Sequence, residues 1–333
     1  MSGARRRLFR PFKILLIFIL VIVLLVIGAS IYIFSRLGTT DWDDDSIYMN
    51  NISDSNIDDY TNIALFGVDS RDNELDSNTR SDSIMIASIN KKNHDIKLVS
   101  IYRDTYVYID GHGYNKLNHA YAYGGPKLAV ETINRNFDLN VTDFITINFS
   151  GLTDVIDALG GITLTIEEDE LEYVNKYAKD VSRINNMENE WTKIKKPGKQ
   201  VVTGVQATGY SRVRYTKGGD FTRTMRQRNV ILAILDKARK SNPATLAKAA
   251  NSVLPQLSTG LSSLEFAGLS LFLPFYSIED QTGFPFDNTP KKVSGADVIV
   301  CSTLVSNVTK LHEYLFGTNG YVPSDTVKSL KQF

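Results

Sequence analysis

The sequence predicts a layered α/β or α+β domain, because apolar runs of strand length and segments with helical spacing interleave along it. Size is a second observation, since 333 residues with 43% hydrophobic content can bury a large core. Continuity is a third, because the sequence has no internal repeat, low-complexity tract or second domain boundary. Together these observations favour one large globular domain.

The strands are predicted from apolar runs that end at polar turns. The polar turn KKNHD separates the second run from the third, which indicates a hairpin. A short alternating run after the hairpin is typical of an edge strand. In chain order, the predicted strands cover residues 62–68, 83–90, 96–102, 106–109, 144–149, 162–166 and 298–300.

The helices are predicted from apolar residues at helical spacing. Pro126 stands at the start of the first helix, and Ala129, Val130 and Phe137 recur on one face. Residues 167–199 are strongly charged and are predicted to form a helix followed by a surface excursion. Further helices are predicted at residues 152–159, 204–214, 221–240, 244–257, 264–272 and 303–315.

The N-terminus carries an uncharged apolar run without proline at residues 14–34. At about 1.5 Å per residue, a helix of this length spans about 30 Å, the thickness of the hydrocarbon core of a bilayer. Basic residues precede the run and aspartates follow it, so residues 1–13 are predicted to be cytoplasmic and the rest extracytoplasmic. A cleavable signal peptide would have a shorter apolar region, of about 7–15 residues, with small residues at its end. The run therefore favours a retained single-pass membrane anchor.

Residues 35–60 are predicted to be an extracytoplasmic linker, since residues 40–59 are polar and rich in Asp, Ser and Asn. The globular domain is expected to cover residues 61–320, and residues 321–333 are expected to form a C-terminal tail. Cys301 is the only cysteine, so no intrachain disulfide forms. An exported protein without disulfides is typical of a bacterial surface.

Positive charge is concentrated in residues 210–229, which read YSRVRYTKGGDFTRTMRQRN. One acid, Asp220, accompanies six basic residues there, whereas the whole chain has 37 basic and 37 acidic residues. Guanidinium groups match phosphate oxygens, and a helix that begins after the Gly-Gly-Asp turn would direct its N-terminal amides at an anion. The basic residues are Arg212, Arg214, Lys217, Arg223, Arg226 and Arg228. This arginine stretch predicts a phosphate or pyrophosphate site.

The helix after this turn has an unusual inward face. Its apolar stripe, extended towards the N-terminus of the helix, reaches Arg223, Arg226 and Gln227. A buried arginine without an anion is costly, so either an anion binds here or the first turn is exposed. Arg228 falls off this stripe, and its replacement by alanine is expected to be nearly silent.

Two aspartates stand at predicted strand ends, where open sheets bind their ligands. Asp69 follows the first strand, and Asp82 precedes the second strand shortly after Arg80. Carboxylates with few histidines available make an oxygen-only site that suits Mg²⁺ or Mn²⁺, completed by substrate phosphates; the alternative is two turn residues. Arg103 and Asp104 follow the third strand, either as a surface ion pair or as an arginine that Asp104 orients towards phosphate.

Other chemistries lack their motifs. The sequence has no Walker A lysine motif, Gly-x-Ser-x-Gly, His-Glu-x-x-His or G-x-G-x-x-G at a strand-to-helix turn. Nucleic acid would explain an arginine cluster, but an extracytoplasmic location argues against that partner.

In combination, the motifs resemble those of the LytR-CpsA-Psr family of membrane-anchored cell-wall assembly proteins. Their order and spacing agree with the family over about residues 61–240. The similar stretches are TRSDSIMIASIN (79–90), IYRDTYVYI (101–109), NKLNHAYAYGGP (115–126), DALGGITLTI (157–166) and the arginine stretch through RQRN.

The resemblance implies an α/β/α sandwich with a central mixed β-sheet that binds a polyprenyl-pyrophosphate-linked glycopolymer. It implies a phosphotransferase that moves a teichoic acid, capsule or similar phosphoglycan to a peptidoglycan hydroxyl. By motif, Asp69 and Asp82 would hold Mg²⁺ and Asp220 would order the arginines. The pyrophosphate would be bound by Arg80, Arg103, Arg212, Arg214, Arg223 and Gln227.

The resemblance also implies a sheath for the lipid tail, for which the helices from Pro126 and Leu152 are the predicted walls. Asp82 or Asp104 would accept the proton of the attacking hydroxyl, and the sequence does not choose between them. Two other functions stay open at this point. One is a non-catalytic regulator or scaffold of envelope assembly, and the other is a pyrophosphatase that uses water in place of the sugar hydroxyl.

Overall fold

The computed structural model describes residues 38–39, 42–69, 75, 79–188 and 191–331. The predicted cytoplasmic residues 1–13 and the predicted anchor at residues 14–34 lie outside the described residues. Within the described ranges, no helix combines the length and the apolar character needed to cross a membrane.

Most of the strands belong to one mixed sheet of seven strands, in the order β1-β10-β7-β2-β3-β4-β11. Strands β2, β3 and β4 are antiparallel neighbours, whereas β7 runs parallel to β2 and β11 parallel to β4. Three two-stranded antiparallel sheets, β5-β6, β8-β9 and β12-β13, lie outside this sheet. The strands are β1 (Gly38–Thr39), β2 (Tyr60–Val68), β3 (Ser81–Asn90), β4 (Asp95–Ile101), β5 (Tyr106–Ile109), β6 (Gly113–Lys116), β7 (Asp143–Asn148), β8 (Ile162–Ile166), β9 (Gly198–Val202), β10 (Leu257–Thr259), β11 (Ser277–Phe284), β12 (Asn288–Val293) and β13 (Ala296–Cys301).

Helices cover both faces of the central sheet. Several begin at a side-chain cap, as at Thr203 and Ser262, each of which forms a capping box with the residue three positions later. The helices are α1 (Asn118–Phe137), α2 (Phe149–Ala158), α3 (Leu171–Ile184), α4 (Gly204–Ser211), α5 (Gly219–Arg239), α6 (Pro243–Val253), α7 (Ser263–Leu271), α8 (Leu304–Phe316) and α9 (Asp325–Ser329).

The alternation of side chains along β2 separates two apolar layers. Ala64, Phe66 and Val68 lie in a buried cluster with residues of α1 and α8. Ile63 and Leu65 belong to the cluster on the other face, which includes residues of α7. The fold is therefore mixed α/β with a central mixed sheet, and the implied arrangement of helices on both faces is confirmed.

The predicted boundaries of the globular domain are wrong at both ends. Residues 42–59 pack on the domain and are not a flexible linker, since Ile47 and Ile57 are buried and the Trp42 ring lies 4.6 Å from that of Phe144. At the other end, α9 packs against α1, so residues beyond 320 are not a free tail. Single apolar residues between polar ones anchor these segments, and such residues have no periodic pattern for the sequence to reveal.

The predicted strands and helices are confirmed within a few residues, and the differences have local causes. Helix α1 is broken at Gly124 and Gly125, where Gly125 has a φ of 63°, so its second part begins at Pro126 as predicted, and the first part from Asn118 is an addition that the sequence pattern does not predict. The sequence gives no prediction of β11, whose middle carries exposed acids, nor of β9, which falls in the stretch predicted as a surface excursion. Strands β1, β6, β10 and β12 are likewise absent from the predicted strands.

Candidate active site

The ends of β2 and β3 bring the two predicted metal ligands together. The pairing register of these strands shifts between Gly67 and Val68, which leaves Asp82 without a partner on β2. Such a bulge redirects the side chain of the extra residue. Asp82 and Asp69, which follows β2, both line one polar cavity of about 210 Å³.

This polar cavity contains most of the predicted phosphate ligands. Three guanidinium groups and two carboxylates line it, so the cavity is positive despite the neutral chain. Its walls come from the ends of β2 and β3, from α2, α3 and α5, and from the segment after α4. The lining residues are Asp69, Asp82, Phe149, Tyr177, Arg212, Arg214, Arg223 and Gln227.

Arg103 follows β4 and bridges two of the acids. Its Nη1 donates a short hydrogen bond to Asp82, and its Nη2 lies 3.6 Å from Oδ1 of Asp220. Burial opposes the charge of this guanidinium, but the acids, Asp82 first, outweigh burial and raise the pKa of Arg103. Arg103 therefore joins the strand side of the site to the first turn of α5.

Arg223 is a buried cation at the wall of the cavity. Its side chain is 3% exposed, and its Nη2 lies 2.7 Å from Oδ1 of Asp220. Burial lowers the pKa of Arg223 to about 10, against the opposing effect of Asp220, so the group stays protonated at neutral pH. Its Nε has no hydrogen-bond partner among the described residues. A buried guanidinium with an unused donor is prepared to bind an anion.

Arg212 lies over the edge of the same cavity. Its guanidinium carbon is 4.7 Å from the centre of the Phe149 ring and 5.9 Å from that of Tyr177. Its Nη1 is buried without a hydrogen-bond partner among the described residues. Two aromatic rings thus pack against the guanidinium, and its unpaired N–H donor is available to a ligand.

Arg226 anchors the segment that carries Arg212 and Arg214. It pairs with Glu170 at 2.7 Å, and its guanidinium also donates to the carbonyl of Val213 at 3.0 Å and to the hydroxyl of Thr216 at 2.6 Å. The sequence predicts an anionic partner for the arginines on the inward face of this helix. For Arg226 this partner is a protein carboxylate, that of Glu170. Arg226 positions the site and does not line the cavity.

Two residues predicted for the site, Asp104 and Arg80, lie apart from the cavity, and Arg103 contacts its lining residue Asp82 without lining it. Asp104 pairs with Lys116 at 2.9 Å, whereas its distance to Nε of Arg103 is 3.9 Å. It is thus a weak orienter of Arg103, and neither Asp104 nor Arg80 lines the cavity. Arg80 is exposed and lies on the side of His119, whose pKa is lowered by burial and then by this arginine.

An apolar cavity of about 290 Å³ lies next to the polar one and shares Phe149 and Gln227 with it. The sheet and α2, α5 and α7 form its walls, which include Leu65, Leu152 and Ile234. The prediction of a wall from the helix at Leu152 therefore fits this cavity. The prediction for the helix at Pro126 does not, because α1 covers the opposite face of the sheet.

The carboxylates of the polar cavity fit the predicted metal ion. Asp69 and Asp82 both line this cavity, so their carboxylate oxygens are available as protein ligands. Among the described residues, no third acidic, histidine or cysteine side chain joins them in a cluster with metal-ligand spacing. Two carboxylates with phosphate oxygens as further ligands are the usual arrangement for Mg²⁺.

Arg228 lies off the stripe of Arg223 and Gln227, as predicted, but the side of α5 on which it lies is also buried. Arg228 is 8% exposed and its Nε donates to Oε1 of Gln281 at 3.2 Å. Helix α5 has two buried sides, because it contacts β8 on one and β11 and β4 on the other. A single apolar stripe in the sequence does not reveal the second side. Phe149 and Tyr177 were also missed, since one ends a predicted strand and the other lies in a charged helix.

Fold and site together define a class. An arginine-lined cavity joined to an apolar cavity, in a mixed α/β domain, is suited to an amphiphile with an anionic head. The family model of the LytR_cpsA_psr family matches residues 35–282, and the chain belongs to this family.

Curated relatives and solved structures agree with this assignment. The chain is 36% identical over 177 residues to the polyisoprenyl-teichoic acid–peptidoglycan teichoic acid transferase TagU of Bacillus cereus, an alignment that covers 53% of this chain and 51% of that protein. The chain thus spans about half the length of this relative. The structure of TagT bound to LIIa-WTA has a TM-score of 0.62 at 26% identity and covers 81% of this chain and 97% of that one. The LytR-CPS2A-psr family protein YwtF (TagT) with bound octaprenyl pyrophosphate lipid has a TM-score of 0.58 at 25% identity, covering 85% and 99%.

Proposed function

We propose that this chain is a phosphotransferase that moves a phosphoglycan from a polyprenyl-pyrophosphate carrier to a hydroxyl of peptidoglycan. The observation that carries the proposal is the junction of the arginine-lined cavity with the apolar cavity at Phe149 and Gln227. A pyrophosphate needs the first environment and a polyprenyl chain needs the second. The names of the relatives, a teichoic acid transferase and a lipid-pyrophosphate complex, support the same substrate class.

In this proposal the pyrophosphate lies in the polar cavity. Arg223 and Arg212 offer buried donors without other partners among the described residues, and Arg214 lies at the exposed rim. Arg103 is held by Asp82 and Asp220 at the edge of this group. Arg80 contributes only if the donor extends beyond the cavity. Asp69 and Asp82 would hold Mg²⁺, or Mn²⁺, which would neutralise charge on the phosphates.

The reaction follows from this placement. The acceptor hydroxyl oxygen forms a bond to the phosphorus that carries the sugar, and the bond from that phosphorus to polyprenyl phosphate breaks. The hydroxyl proton passes to a carboxylate, for which we propose Asp82, because it lines the cavity and Asp104 does not. The arginines stabilise the charge that develops on the equatorial and leaving oxygens.

The proposed location is the outer face of a cell membrane, with the apolar run at residues 14–34 as a single-pass anchor. A lipid-linked donor stays at the bilayer surface, so an anchor keeps the enzyme beside its substrate. Teichoic acid is the polymer that the relatives' names favour, and capsule or another anionic glycan has the same chemistry at the linkage.

A transfer assay tests the proposal. The full chain in detergent, with Mg²⁺, a polyprenyl-pyrophosphate glycan and peptidoglycan oligomers, is expected to yield phosphoglycan linked to peptidoglycan. Asp82→Asn should lower the rate by about 10²-fold or more, because it removes the proposed base and a metal ligand. Lys217→Ala is the matched control, since Lys217 is exposed in the same basic stretch and does not line the cavity.

The products distinguish the alternatives. Free phosphoglycan as the sole product would show a pyrophosphatase and contradict transfer to peptidoglycan. Absence of turnover by the wild-type chain would instead support a non-catalytic role in envelope assembly.

A further inference from the structure

Three carboxylates converge far from the polar cavity. Asp44, Asp143 and Glu265 each place an oxygen within 4.8 Å of the others. Asp143 begins β7, and Asn148 at the other end of this strand lines the apolar cavity. At about 3.3 Å per residue, the two ends are about 17 Å apart. The cluster is therefore separate from the polar cavity that is proposed to bind the pyrophosphate.

Asp143 is the unusual member of this cluster. The residue is 5% exposed, and its Oδ1 has no hydrogen-bond partner among the described residues. Its Oδ2 accepts a hydrogen bond from the hydroxyl of Thr142 at 3.2 Å. A buried carboxylate oxygen without a donor is costly, and it requires an explanation.

The electrostatic surroundings of Asp143 make its burial still less favourable. Burial and then the charges of Glu265 and Asp44 raise the pKa of Asp143 to about 6. Burial, followed by Glu265, likewise raises the pKa of Asp44. No lysine or arginine of the described chain is among the charges that act on either group. At neutral pH the cluster therefore has uncompensated negative charge.

We propose that Asp44, Asp143 and Glu265 bind a divalent cation, Ca²⁺, on the domain. Carboxylate oxygens alone are ligands for a hard cation, and Ca²⁺ tolerates irregular geometry completed by water. Three protein carboxylates are few for an ion that takes 6–8 oxygens, so the affinity is that of extracellular Ca²⁺ modules, about 10⁻⁴–10⁻³ M.

The cation would connect three segments that are distant in the sequence. Asp44 comes from the N-terminal segment, Asp143 from the central sheet, and Glu265 from the first turn of α7. Trp42 reinforces the connection, because its indole N–H donates to the carbonyl of Thr142 at 3.0 Å. The bound ion would therefore hold the segment that follows the proposed anchor against the domain.

Thermal unfolding of the full chain in detergent tests this site. Addition of about 2 mM CaCl₂ to protein prepared in EDTA is expected to raise the Tm by roughly 3 °C, since the ion binds the folded state. Asp143→Asn should abolish this rise. In EDTA the same variant should unfold at the wild-type Tm or above it, because an amide replaces a buried charge of equal size.

Matched variants keep the test specific. Asp82→Asn should retain the Ca²⁺-dependent rise, because Asp82 belongs to the polar cavity. Asp44→Asn changes a less buried ligand and should reduce the rise if Asp143→Asn does not fold. A wild-type Tm that is unchanged by Ca²⁺ would overturn the proposal. So would a rise that persists in Asp143→Asn and disappears in Asp82→Asn.

Terbium luminescence gives a second measurement that does not depend on stability. The chain has two tryptophans. Trp42 lies beside the cluster, whereas Trp191 packs against a separate apolar cluster. Excitation of tryptophan should therefore produce Tb³⁺ emission that Ca²⁺ competes away and that Trp42→Phe or Asp143→Asn abolishes. Emission that survives both substitutions would place the ion elsewhere and overturn the proposal.

Discussion

At the residue scale, Arg223 and Arg228 are a natural comparison, because both are buried arginines of α5. Arg223 faces the polar cavity, and Arg228 pairs with Gln281 of β11 on another side of the helix. Burial lowers the pKa of both guanidinium groups. The two arginines are both buried, and they differ in the side of the helix on which they lie.

We predict that Arg223→Ala lowers kcat/KM for transfer by about 10²–10³-fold, because it removes a buried donor to the pyrophosphate. Its effect on folding should be small, since a costly buried charge disappears and Asp220 keeps Arg103 as a partner.

Arg228→Ala should lower stability and leave the activity unchanged. It should cost about 1–2 kcal/mol in urea unfolding, because Gln281 loses its buried partner, and transfer per folded molecule should stay unchanged. Equal losses of activity in the two variants would contradict this assignment of sides.

At the element scale, the buried pair of Glu170 and Arg226 fixes the segment between α4 and α5. Both side chains are less than 7% exposed, and Arg226 also holds the carbonyl of Val213. We predict that Glu170→Gln lowers the free energy of unfolding by about 3–5 kcal/mol, because a buried guanidinium loses its counter-charge. Transfer should also fall, since Arg212 and Arg214 lie on the segment that this pair positions.

Glu172→Gln is the control for this prediction, because Glu172 lies two residues away on an exposed position of α3. Its urea midpoint should match the wild type. If Glu170→Gln unfolded at the same urea concentration as Glu172→Gln, the pair would not have the assigned role.

The same scale shows what the sequence can predict. Strands β2, β3 and β4 are predictable, because each is an apolar run between polar turns. The positions of Asp69 and Asp82 at the ends of these strands follow from the apolar runs. The bulge that leaves Asp82 unpaired does not follow from them. Strand β10 is three residues long and has no local pattern, so its pairing with β7 and β1 makes it a strand. Local spacing therefore predicts elements, and tertiary contacts decide the short ones.

For the whole molecule, burial of the terminal segments depends on one aspartate that the sequence does not mark. Asp138 ends α1 with a left-handed φ of 53° and is fully buried. Its carboxylate accepts hydrogen bonds from Asn50 at 2.6 Å and from the hydroxyl of Tyr321 at 3.0 Å. The backbone N–H and hydroxyl of Ser324 donate to it at 2.7 Å. The N-terminal segment, α1 and the C-terminal segment thus meet at one side chain, which explains why both predicted domain ends were wrong.

The single cysteine makes this connection measurable. Cys301 lies in the same apolar cluster as α1 and α8, and burial raises the pKa of its thiol to about 12. A thiol-specific reagent therefore reacts with it only when the domain opens, because the thiolate is scarce and buried in the folded state.

We predict that Asp138→Ala increases the labelling rate at pH 8 by at least about 10²-fold, since four donors lose their acceptor and alanine disfavours the left-handed backbone. Asp110→Ala should label at the wild-type rate, because the Asp110 side chain is 61% exposed and its ion pair with Arg135 is long, at 3.6 Å. Equal labelling rates in the two variants would show that the terminal segments are held by their apolar residues alone.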